Sequence, residues 1–103
     1  MPQRGRKRDE TMRTTVTARH CEISDELRTR AEVVVEKVVR VASRAHGAEV
    51  IFNADHGGKV VELKIALPRG QMRVAKAEAD DFRTALDRAA DKIRSQLDRK
   101  EGR

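Results

Sequence analysis

Near its C-terminal end the chain places apolar residues at Phe82, Leu86, Ala89, Ile93 and Leu97, in steps of four, three, four and four. Side chains spaced this way share one stripe of an α-helix, and that stripe must be covered by something else. Upstream, Val61, Leu63, Ile65 and Leu67 alternate with Glu62, Lys64 and Ala66, the pattern of a strand with one buried face. A helix with one apolar stripe and a sheet with one apolar face are complementary partners. Asp80-Asp81 opens this helix, where carboxylates suit the positive end of the backbone dipole.

The rest of the chain supplies the other layers. Thr14-Thr15-Val16-Thr17-Ala18 is β-prone and predicts the first strand. Ser24-Asp25-Glu26 predicts a helix start, with Ser24 capping free N–H groups. Leu27, Ala31, Val35, Val38 and Ala42 then follow helical spacing. Val33, Val34, Val39 and Val41 are poor helix formers, so a buried strand over 33–39 competes. Glu32, Glu36, Lys37 and Arg40 at helical spacing favour the helix, which Gly47 is expected to end. Val50-Ile51-Phe52 is a short strand, and Asp55-His56-Gly57-Gly58 a hairpin turn. Pro68-Arg69-Gly70 makes the next turn. The last strand, Met72 to Ala77, is open in phase: either Met72 and Val74 or Ala75 and Ala77 face the core. The predicted fold is α+β: a β-α-β-β-β-α two-layer sandwich, with two helices on a four-stranded, mostly antiparallel sheet.

Composition sets the kind of core and the kind of partner. The 103 residues suit one domain, over 13–103, preceded by a disordered basic arm over 1–12. Only 2% of residues are aromatic, so Val, Leu, Ile and Ala must build the core around Phe52 and Phe82. Net charge is +6 and the pI about 10.1, which attracts polyanions at long range. Without Trp or Tyr, RNA would be held by shape and charge rather than by base stacking.

Chemistry is sparse. Cys21 is the only cysteine, which rules out an internal disulfide and fits a cytoplasmic location. No apolar run approaches the roughly 18 residues of a membrane span, and the basic start lacks a signal peptide's apolar stretch. His20, Cys21, His46 and His56 lack companions at metal-ligand spacing, so no metal is expected. Gly57-Gly58 lacks the Lys-Ser/Thr of a phosphate loop. The residues point to no enzyme, no cofactor and no small-molecule substrate. On the second helix, Arg88, Lys92 and Arg99 share a stripe, with Ser95 between the last two, and such a stripe can follow a phosphate backbone.

Three stretches together resemble the hibernation-promoting and ribosome-associated inhibitor family over about residues 13–100. They are Glu22-Ile23-Ser24-Asp25-Glu26-Leu27-Arg28 with Lys37 beyond it, Asp81-Phe82-Arg83-Thr84-Ala85-Leu86-Asp87, and Asp91-Lys92-Ile93-Arg94-Ser95-Gln96-Leu97. The resemblance implies a fold similar to double-stranded RNA-binding domains. It also implies docking on small-subunit rRNA in the mRNA and tRNA channel, with translation inhibited. Carried over by position, Arg28, Lys37, Lys92, Arg99 and Lys100 would contact rRNA. Arg88, on the same stripe, joins them. Val34 and Ser95 stand where the family often has Lys and Arg. Arg94, one residue from that Arg position and about 100° around the helix, completes the candidate set. The resemblance is to the short forms, so the dimerising domain of longer forms is not expected and the isolated protein is expected to be monomeric. Two other functions fit the residues alone. One is a general double-stranded RNA-binding module. The other is a protein-interaction regulator using Val33, Val34 and an edge strand.

Overall fold

The computed structural model describes residues 13–41, 44–55 and 57–101. The elements run β1 (Arg13–Arg19), α1 (Asp25–Val41), β2 (Gly47–Asp55), β3 (Gly58–Ala66), a 3₁₀ turn (Pro68–Gly70), β4 (Met72–Ala79) and α2 (Phe82–Glu101). The strands lie in the order β1-β2-β3-β4. β1 pairs with β2 in parallel, because α1 carries the chain back between them. The other two pairings are antiparallel, so the sheet is mixed. α2 crosses β3 and β4, while α1 packs beside it and against β1.

Each helix begins on a side-chain cap. The Leu27 backbone N–H donates to Ser24 Oγ at 3.0 Å, and the Thr84 backbone N–H donates to Asp81 Oδ2 at 2.9 Å. Ser24→Ala is expected to lower stability by about 1 kcal/mol, read as a lower denaturant midpoint. The Thr84 backbone bond, followed by its hydroxyl at 2.9 Å, holds the Asp81 carboxyl below its ordinary value of 3.8. The folded state therefore favours the ionised form. That contribution is present above the unfolded value and fades as pH falls through the folded one. Asp81→Ala should accordingly melt lower than wild type at neutral pH. The gap should close at acid pH, and a constant gap would contradict the cap's charge.

The α1 segment with its valine cluster is helical, not a strand, as its interleaved charges require. Ala31, Val35 and Val38 are fully buried, whereas Val33 is 45% exposed. Gly47 does not end α1. The helix stops at Val41, and Gly47 is the first residue of β2, paired with Arg13 on one side and Ala66 on the other. Ala42 and His56, assigned above to the helix stripe and the hairpin turn, lie outside the described residues. Gly57, in that turn, has φ +82°, which suits a residue without Cβ.

Register explains the core. Val50 lies opposite Leu63, and Leu63 opposite Ala75; the next rung is Phe52, Val61 and Ala77. All six are buried under the helices. β4 therefore takes its alanine phase inward, leaving Met72 51% and Val74 41% exposed. Small residues at 75 and 77 let α2, which brings Ala85 and Ala89, approach the sheet closely. Phe52 meets Phe82 edge to face, with centroids 5.3 Å apart, and the Lys59 ammonium lies 5.6 Å from the Phe82 ring. Ile51 is buried on the opposite, helix-free face, in register between Thr17 and Glu62.

Candidate nucleic-acid interface

β1, β2 and β4 run the same way, and each helix returns against them, so α1 and α2 lie side by side in one direction. Between them is a cleft of about 320 Å³ lined by Arg30, Val34, Lys37 and Val38 from α1 and Asp87, Ala90, Asp91 and Arg94 from α2. Four of its five charges repeat every seven residues, Arg30 and Lys37 on one helix and Asp87 and Arg94 on the other, with Asp91 between the last two. Seven residues are two helical turns. The like-directed helices thus put Arg30 beside Asp87 at one end and bring Lys37 and Arg94 together further along.

At the first end the Arg30 guanidinium donates from Nη2 to both Asp87 oxygens at 3.1 Å. The partners' side chains are 37% and 48% exposed, so solvent limits this pair to about 0–1 kcal/mol. Its stronger effect is on charge, since Asp87 neutralises Arg30 inside the cleft. Lys37 and Arg94 are exposed and have no ion-pair partner among the described residues. At that end two cations and one carboxylate, Asp91, line the cleft over a floor of Val34, Val38 and Ala90, which leaves one positive charge in excess. The apolar floor gives the cationic stems a surface to lie along.

The remaining sequence candidates go elsewhere. Arg28 is exposed on α1 but does not line the cleft; it is about 200° around the helix from Arg30. Arg88 and Lys92 lie on the far flank of α2, where Arg88 Nη1 donates to Glu78 O at 3.0 Å and Lys92 Nζ to Lys76 O at 2.8 Å. The helix continues through Arg99 and Lys100, whose side chains lie outside the described residues. Arg30 and Asp87 were missed from sequence. Their signal is the seven-residue spacing to Lys37 and Arg94, which becomes meaningful only once the two helices are known to be neighbours.

Among the described residues, no group of three or more His, Cys, Asp or Glu side chains could hold a metal, and no helix is long and apolar enough to cross a membrane. The Cys21 thiol is half-buried and free, 3.6 Å from Phe52 O.

The chain is thus a two-layer α+β domain with a charged cleft between its two helices. The chain belongs to the family described as Sigma 54 modulation protein / S30EA ribosomal protein, which matches residues 14–103. A relative in Pseudomonas putida, named ribosome hibernation promoting factor, is 33% identical over 89 residues, covering 84% of this chain and 83% of its own. Two solved structures share the fold. A ribosomal subunit interface protein from Coxiella burnetii superposes with a TM-score of 0.79 at 24% identity, covering 87% of this chain and 98% of that one. The N-terminal domain of Protein Y from Thermus thermophilus gives 0.72 at 26% identity, covering 82% and 93%.

Proposed function

We propose that this protein is a non-enzymatic ribosome hibernation factor. It binds rRNA of the small ribosomal subunit in the mRNA and tRNA channel and so inhibits translation. Family membership and the name of the Pseudomonas relative support the ribosome as target. The observation that carries the contact surface is the convergence of Lys37 and Arg94 in one cleft, beside the Arg30–Asp87 pair. A phosphate between two cations forms charge-assisted hydrogen bonds and releases bound counterions. Arg28, exposed elsewhere on α1, is a further candidate contact.

Occupation of the channel predicts competition. Preloading small subunits with mRNA and tRNA should prevent binding, whereas excess unrelated duplex RNA should leave it intact. Displacement by the duplex instead would favour a general double-stranded RNA binder. Asp87 gives a second handle. Asp87→Asn releases Arg30, so binding to small subunits should tighten and its log–log salt slope steepen by about 0.7–0.9. Stability should fall by no more than about 1 kcal/mol. An unchanged slope would place the phosphates away from this end of the cleft.

A further inference from the structure

The sheet's edge strand β4 directs the carbonyls of Val74, Lys76 and Glu78 away from β3. All three are covered from α2. Gln96 Nε2 donates to Val74 O at 3.0 Å, Lys92 Nζ to Lys76 O at 2.8 Å and Arg88 Nη1 to Glu78 O at 3.0 Å. The three side chains step by four along the helix, and their acceptors step by two along the strand. Four helical residues rise about 6 Å and two strand residues about 6.8 Å. The pitches therefore match, and because α2 runs antiparallel to β4 the order is reversed, Arg88 meeting Glu78 and Gln96 meeting Val74.

We infer that Arg88, Lys92 and Gln96 form a side-chain comb that seals β4 against strand pairing with a second copy of this chain. An uncovered edge is a template for another strand. β4 is well suited to that error. It is eight residues long, contains no proline, and exposes Met72 and Val74 at one end. A second β4 laid antiparallel would need the same three carbonyls and would meet two cationic side chains lying across them. The pairing would be isologous, the strand meeting itself about a two-fold axis. These three side chains lie down onto the strand, whereas Arg94, on the flank of α2 that faces α1, has no such partner among the described residues. The inference concerns the free protein and does not depend on the ribosome reading.

The test is self-association of the full chain without RNA. Arg88→Ala, Lys92→Ala and Gln96→Ala lie outside the apolar stripe, and alanine is the best helix former. The triple variant should keep the wild-type circular dichroism yet sediment with the mass of two copies or more as concentration rises. Wild type should stay at the mass of one copy. The single variants Lys92→Ala and Gln96→Ala should show the same shift at higher concentration, so they decide the matter if the triple variant does not fold. Adding Lys76→Pro removes an outward N–H from an edge position that tolerates proline, and should return the triple variant to one copy. Folded single or triple variants that remain monomeric throughout would overturn the inference. So would association that survives Lys76→Pro, because it would place the contact away from β4.

Discussion

Changing Lys37 and Arg94 together to glutamate is expected to weaken binding to the small ribosomal subunit by at least about a hundredfold. Each cation removed from a phosphate gives up a charge-assisted hydrogen bond, about 1.5–3 kcal/mol apiece, and about 1.4 kcal/mol is a factor of ten. The reversed charges add repulsion. The log–log salt slope should become shallower by about 1.4–1.8, the share of two phosphate contacts. Both side chains are exposed and lie off the buried stripes. The fold should survive, and circular dichroism and thermal melting should stay close to wild type. A loss of binding with intact folding would locate the contact in the cleft. Unchanged affinity would move it to another face.

The second large effect is on the core. Phe52→Ala should destabilise the domain by about 3–5 kcal/mol, through lost transfer energy and the cavity left behind. Phe52 is fully buried, belongs to the rung with Val61 and Ala77, and packs edge to face on Phe82. With only two aromatic residues in the chain, no other ring can repack into the space. Small domains hold about 5–15 kcal/mol in all, so much of the total would go. In a domain of this size the midpoint of thermal unfolding should fall by at least about 12 °C. A change below about 1 kcal/mol in chemical denaturation would mean that the aromatic pair does not organise the core.

How much of this was legible in the sequence follows from what kind of interaction each feature uses. The α2 stripe and the β3 alternation were readable because burial of one face imposes a period, and their residues are buried as the spacing requires, apart from Phe82, which is half-buried at the start of the helix. The Ser24 cap and the helix start at Asp80-Asp81 were readable because capping acts over three residues, though which of the two aspartates caps was not. Gly47 was misread because a glycine after a helix normally marks its end. Here the strand pairing with Arg13 and Ala66 claims it, and no local signal reports a partner far along the chain. The phase of β4 was undecidable for a related reason. Met72 and Val74 are the more hydrophobic choice, but the closeness of α2 favours Ala75 and Ala77, and closeness is a tertiary property. The candidate site was half legible. Lys37 and Arg94 were named, yet nothing in the sequence joined them to each other rather than to Arg88 and Lys92. The structure separates these pairs onto the two flanks of α2.

The central claim, that the protein binds the small ribosomal subunit through phosphate contacts, is tested most directly by pelleting purified small subunits with the wild-type chain across a range of salt. The expected result is near-complete recovery in the pellet at low ionic strength, with release into the supernatant as salt rises. Protein that stays in the supernatant at low salt would contradict the account.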